Sequence, residues 1–94
     1  MRIYLVDRDL PGFTVEAMVA LQQAAIEMSR RCLADGKSVR YLRSVFMPSE
    51  SHCMCLFEAE SAKLVQELNE AAEIPFTRII EALELTGSEE SPTT

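Results

Sequence analysis

Residues 52–58 read HCMCLFE, and the alternation of their side chains predicts a β-strand. Because a strand has a period of two, Cys53, Cys55 and Phe57 share one face, and His52 lies on the other face with Glu58. The segment therefore holds two thiols, an imidazole and a carboxylate. It is either a site for a soft metal ion or part of the apolar core of a small sheet.

The strand at 52–59 has a predicted partner immediately before it. Residues 39–47 are rich in β-forming side chains, and residues 48–51 read PSES, which is typical of a turn. The two strands therefore form an antiparallel hairpin. A strict period of two places Leu42 and Phe46 on one side of the first strand and Tyr41, Val45 and Met47 on the other.

The first half of the chain predicts a strand followed by a long helix. Residues 2–8 alternate, so that Ile3, Leu5 and Asp7 point one way and Arg2, Tyr4, Val6 and Arg8 point the other. After a Pro-Gly turn, residues 15–34 place apolar side chains at spacings of three and four. Thr14 is the predicted N-cap of this helix, and Gly36 is the predicted left-handed residue after its end.

The second half predicts another helix and a last strand. Ser61 is a suitable N-cap, and Pro75 forbids continuation of the helix. Residues 77–85 are short and contain adjacent isoleucines, which favours a strand. Residues 86–94 contain no large apolar side chain, so we expect a disordered tail after a single domain over residues 1–85.

The element order β-α-β-β-α-β predicts a ferredoxin-like α+β fold, a four-stranded antiparallel sheet with two helices on one face. The other face of such a sheet is normally polar. Here the face that carries His52 also carries Met54 and Leu56. We therefore expect the uncovered face to pack against a second copy of the chain and form a homodimer.

Composition excludes several classes of function. The chain has 94 residues and a net charge of −6, and nucleic acids and anionic membranes both select basic surfaces. The amino terminus carries no pattern of a secretory signal, since Asp7 interrupts the first apolar run. The chain has three cysteines, and an odd number does not suit a set of paired disulfides. We therefore expect reduced thiols and a cytoplasmic location.

Several segments resemble a family of small bacterial proteins of uncharacterised function, some members of which are described as nickel-binding. The resemblance covers residues 3–85. It rests on DLPG at 9–12, VRYLRS at 39–44, LFEA at 56–59, Val65, Asn69 and Ala72, IPFTRI at 74–79 and EA at 81–82. It implies a ferredoxin-like fold that pairs into a dimeric α/β barrel, and it implies binding of nickel or another divalent transition metal.

The candidate metal ligands are His52, Glu58, Asp7, Cys53 and Cys55. Thiolates suit zinc, copper(I) or nickel, and imidazole with carboxylates suits borderline cations. A buried cysteine is more often a small core residue, however, and a lone histidine is more often a surface residue. His52 faces away from both thiols, so one chain does not easily bring all three to one metal ion.

A second hypothesis is a cofactor-independent small-molecule binder or enzyme, related to small monooxygenases or isomerases by fold analogy alone. Its ligand would occupy a cavity between the sheet and the helices. The candidate cavity-lining residues are Tyr4, Tyr41, Met54 and Arg43. Whether the protein is an enzyme stays open at this point.

Overall fold

The sheet and helices follow the predicted β-α-β-β-α-β order in a computed structural model that describes residues 1–85 and residue 87. The elements are β1 (Arg2–Asp9), α1 (Val15–Ala34), β2 (Val39–Met47), a 3-10 turn (Pro48–Glu50), β3 (His52–Ala59), α2 (Ala62–Ala71) and β4 (Arg78–Ala82). The four strands are antiparallel in the order β2-β3-β1-β4. The ferredoxin-like fold is confirmed. Apart from residue 87, the predicted tail at 86–94 lies outside the described residues.

Both helices begin and end where their capping residues predict. The Thr14 hydroxyl accepts a hydrogen bond from the backbone N–H of Ala17 at 3.1 Å, and the Ser61 hydroxyl accepts one from Leu64 at 3.4 Å. Gly36 has a φ of +79°, the left-handed conformation that commonly follows a helix. Within the described part of the chain, neither helix is long and apolar enough to cross a membrane.

The hydrophobic core lies between the helices and one face of the sheet, which we call the covered face. The predicted alternation of β3 is confirmed, because Cys53, Cys55 and Phe57 are all fully buried there. The rings of Tyr41 and Phe57 pack edge to face, with their centroids 5.5 Å apart. The two cysteines are thus core residues that lie beneath the helices.

A β-bulge in β2 gives Tyr41 the opposite orientation from the one that the sequence pattern predicted. Tyr41 pairs with Phe57 but Arg43 pairs with Leu56, so Leu42 is an extra residue without a counterpart on β3. An extra residue reverses the alternation of the side chains that follow it. Tyr41 therefore lies on the covered face, and its predicted placement beside Val45 and Met47 was wrong.

The other face of the sheet, which we call the open face, has no helix of the described residues packed on it. Its centre is apolar, and Val45 and Ile80 at its two edges are 52% and 42% exposed. The further apolar side chains of this face are Ile3 and Leu5 on β1 and Met54 and Leu56 on β3, of which Leu5 and Leu56 pair directly. Charged residues occupy both ends of the apolar area.

Candidate functional site

A histidine flanked by two carboxylates lies at one end of the open face. The register of β1 and β3 sets His52, the first residue of β3, opposite Asp9 at the end of β1. His52 Nδ1 is 3.0 Å from Asp9 Oδ1, and His52 Nε2 is 2.5 Å from Asp7 Oδ1. Each ring nitrogen of the imidazole therefore faces a carboxylate oxygen. We call Asp7, Asp9 and His52 the histidine cluster.

Asp7 is the most enclosed member of the cluster, with a side chain only 13% exposed. Its backbone carbonyl accepts hydrogen bonds from the backbone N–H and the hydroxyl of Thr77, at 2.7 and 2.9 Å. Its Oδ2 accepts a hydrogen bond from Arg78 Nε at 3.2 Å. Its buried Oδ1 has no hydrogen bond of good geometry within the described residues, although His52 Nε2 lies close to it. Asp7 is therefore held firmly, with one carboxylate oxygen incompletely satisfied.

The two carboxylates favour the protonated form of His52. The hydrogen bond with Asp9 is the largest influence and raises the pKa of the imidazole. Partial desolvation opposes this effect, and the close, negatively charged Asp7 carboxylate adds to it. Because the His52 side chain is 28% exposed and Asp9 is exposed, solvent weakens these interactions.

The other predicted metal ligands lie elsewhere. Glu58 stands six residues from His52 on the same strand, roughly 20 Å away, and pairs with Arg40 at 2.7 Å. Cys53 and Cys55 are on the covered face. The structure thus brings Asp7 to His52 and separates Glu58 and both thiols from it. Asp9 joins the cluster instead. Its place at the strand end with Asp7 had suggested a carboxylate that could bind a cation together with a histidine, although a solvated loop was the favoured interpretation.

The donor atoms of the histidine cluster suit nickel, but their present arrangement does not form a complete metal site. Imidazole nitrogen and carboxylate oxygen are both ligands for borderline divalent cations. Across residues 1–85 and 87, however, no group of three or more His, Cys, Asp or Glu side chains is placed to hold a metal ion. A metal ion on either ring nitrogen of His52 would have to displace a carboxylate.

A second polar cluster lies inside the core. Arg8 is fully buried and donates three hydrogen bonds: from Nε to Cys55 Sγ at 3.3 Å, and from its two terminal nitrogens to the Pro75 carbonyl at 3.0 Å and Asn69 Oδ1 at 2.7 Å. The sequence contained a signal for this cluster, because the alternation of β1 put Arg8 on the same face as Tyr4 and Val6. A charged residue at a core-facing position requires buried partners.

The buried thiols have opposite tendencies to ionise. Cys53 Sγ lies 3.8 Å from Cys55 Sγ and can donate a hydrogen bond to it, and this bond lowers the pKa of Cys55. Burial raises the pKa of Cys55, but the nearby Arg8 guanidinium lowers it further. The same hydrogen bond, together with burial, raises the pKa of Cys53. Of the two sulfurs, Cys55 is the one that ionises first.

The predicted cavity-lining residues do not lie together. Tyr4 and Tyr41 are on the covered face, whereas Met54 and Arg43 are on the open face. A shallow apolar depression of about 330 Å³ lies between α1 and the residues that follow α2, lined by residues that include Phe13, Leu21 and Ile74. None of the four predicted residues lines this depression, and the small-molecule hypothesis stays a prediction.

Fold and site together define a small ferredoxin-like domain with a polar histidine cluster at the end of an apolar open sheet face. Residues 4–82 match the family described as nickel responsive protein SCO4226-like, and the chain belongs to that family. The crystal structure of SCO4226 from Streptomyces coelicolor A3(2) is similar, with a TM-score of 0.76 at 20% sequence identity, covering 89% of this chain and 99% of that one. At this identity the likeness shows the fold alone. No curated protein matches the chain in sequence.

Proposed function

We propose that the protein is a homodimeric metal-responsive protein that binds nickel or a similar divalent transition metal ion through the histidine cluster. The observation that carries this proposal is the position of the His52 ring between the carboxylates of Asp7 and Asp9. The family description, nickel responsive, supports the choice of metal. The three free cysteines favour a reducing compartment such as the cytoplasm.

The charge of the cluster supports a cation as its ligand. With His52 neutral, two carboxylates face a single guanidinium, that of Arg78, so the cluster keeps one negative charge. Asp7 Oδ1 is buried and lacks a well-formed hydrogen bond, and such an atom gains from a cation more than a fully satisfied one does. His52 and one of the two carboxylates, Asp7 or Asp9, would hold the ion, with water or a second chain completing its coordination.

Metal and proton compete for His52 under this proposal. Only the neutral imidazole has a lone pair to give to a metal, and the neighbouring carboxylates raise the pKa of His52. Metal affinity should therefore increase as the pH rises through that pKa. Exposed Asp9 can move away from the ring at little cost, whereas Asp7 is anchored by Thr77 and Arg78.

The open face supports the proposed homodimer. Apolar side chains extend across this face from Val45 on one edge strand to Ile80 on the other, both of them exposed, and no helix of the described residues packs on it. A contiguous apolar area of this kind usually marks an interaction surface. Face-to-face packing of two sheets would bury this area, and it would bring the histidine cluster of each chain to the edge of the interface.

Calorimetric titration of the tag-free protein with nickel tests the metal proposal. We expect roughly one nickel ion per chain, and His52→Gln should weaken binding at least about tenfold, since even outer-shell partners of a metal cost that much when lost. Glu58→Gln is the matched control, because Glu58 lies on the same face of the same strand but pairs with Arg40. The control should bind nickel as tightly as the unmodified chain.

Two outcomes of this titration would overturn the proposal. One is the absence of any nickel binding by a folded, tag-free protein at neutral pH. The other is binding that survives His52→Gln and is lost in Glu58→Gln, which would move the metal site to the opposite end of β3.

A further inference from the structure

We propose that Cys55 is an ionised thiol that balances the charge of buried Arg8, and that its sulfur is a site of covalent modification by soft electrophiles. The proposal concerns the covered face of the sheet. It is independent of the histidine cluster, which lies on the open face.

The first observation is that Arg8 is a buried cation without a carboxylate. Its side chain is fully buried, and its partners are the Asn69 side-chain oxygen, the Pro75 carbonyl and Cys55 Sγ. Among the ion pairs of the described residues, none involves Arg8. An arginine keeps its proton even when buried, so the charge has to be balanced by a neighbour. Of its three partners, Cys55 alone can become an anion.

The second observation is the set of donors around the Cys55 sulfur. Arg8 Nε lies 3.3 Å from it, Ser44 Oγ 3.0 Å and Cys53 Sγ 3.8 Å. The Tyr41 hydroxyl is 2.6 Å from Ser44 Oγ, so a consistent chain of hydrogen bonds runs from Tyr41 through Ser44 to the sulfur. Arg8 Nε can only donate, whereas Ser44 Oγ and Cys53 Sγ can each donate to the sulfur or accept from it. With Cys55 ionised, all three groups donate to the sulfur, because a thiolate only accepts.

The titratable groups near Cys55 act in the same direction. The hydrogen bond from Cys53, its neighbour on β3, lowers the pKa of Cys55 most, and Arg8 on β1 lowers it further, against the opposing effect of burial. Burial raises the pKa of the Tyr41 hydroxyl on β2, which keeps that group a neutral donor. On α2, the Asn69 side-chain oxygen accepts a hydrogen bond from Arg8 and so orients the guanidinium; the Asn69 amide itself does not titrate.

Ser44 contacts the sulfur from the β2 side of the sheet. It is half-buried and lies on β2, an edge strand of the sheet, close to the bulge at Leu42. A bulged edge strand opens locally more easily than a central strand. A small uncharged reagent could then reach Cys55 from the β2 side.

The chemistry is nucleophilic substitution by sulfur. With iodoacetamide as the probe, the Cys55 thiolate attacks the methylene carbon, a C–S bond forms, and the C–I bond breaks as iodide leaves with the electron pair. No proton has to be removed first, because the sulfur is already ionised. Cys32 is the internal comparison, since burial raises the pKa of its thiol.

Limiting iodoacetamide, applied to the folded full-length protein at neutral pH and followed by peptide mapping, tests the proposal without any substitution. We expect Cys55 to be alkylated before Cys32. Labelling of Cys32 ahead of Cys55 would overturn the proposed modification site.

The ultraviolet absorbance of the thiolate gives a second readout. The native protein should show about one thiolate per chain at neutral pH. The signal should persist in Cys32→Ser and disappear in Cys55→Ser. A native protein without thiolate absorbance at neutral pH, or a signal that survives Cys55→Ser, would refute the proposed charge balance.

Discussion

Replacement of Arg8 by methionine should destabilise the domain strongly. Methionine keeps much of the apolar length of the side chain, so the change mainly removes a guanidinium that makes three buried hydrogen bonds. The Asn69 oxygen and the Pro75 carbonyl lose their donor, and an unsatisfied buried polar group costs about 1–3 kcal/mol. We expect a loss of roughly 3–5 kcal/mol in the free energy of unfolding, as for other broken buried pairs. This is a large part of the roughly 5–15 kcal/mol that holds a typical domain together.

Urea denaturation of Arg8→Met and Arg40→Met measures this difference directly. Arg40 is the matched control, because it pairs with Glu58 at 2.7 Å but its side chain is 56% exposed. An exposed ion pair contributes about 0–1 kcal/mol, so the control should unfold nearly as the native chain does. If the two variants lose stability to within about 1 kcal/mol of each other, the account of Arg8 as the polar centre of the core is refuted.

Three further predictions concern the open face, the histidine cluster and α1. Val45→Asp combined with Ile80→Asp should convert the proposed dimer to a single chain by sedimentation with little loss of stability, because both side chains are exposed; an unmodified protein that sediments as one chain contradicts the proposed dimer. His52 stabilises the fold fully below its unfolded pKa near 6.5, and this contribution is lost as the pH rises through the higher folded pKa. The unfolding free energy of the native chain should therefore fall relative to that of His52→Gln as the pH rises above about 6.5, and parallel curves would contradict this. Thr14→Ala should cost about 0.5–2 kcal/mol, measured by thermal unfolding; an unchanged melting temperature would show that the cap contributes nothing.

The fold could be derived from the sequence because local signals agreed with the overall pattern. The spacing of apolar residues and the caps at Thr14 and Ser61 placed both helices, and alternation placed the strands. The bulge at Leu42 could not be derived, because nothing in the local sequence marks the extra residue. Its effect on Tyr41 became evident only from the pairing with β3.

The candidate site was only partly predictable, for a physical reason. Alternation gives the face of each side chain, and it separated His52 from the thiols correctly. The pairing of β1 with β3 decides which carboxylate meets the imidazole, and this register set Asp9 opposite His52 and left Glu58 at the far end. The partners of Arg8 come from α2 and the loop before β4, which are distant in sequence. Tertiary packing, rather than any local pattern, creates that cluster.

The single histidine of this chain allows the most direct test of the central claim. Because His52 is the only histidine, its ring resonances in a proton or nitrogen NMR spectrum need no further assignment. We predict that substoichiometric nickel, added to the tag-free protein at neutral pH, broadens and shifts these resonances and that the Glu58→Gln variant responds in the same way. Ring resonances that stay unchanged at saturating nickel would contradict the claim that the histidine cluster binds the metal.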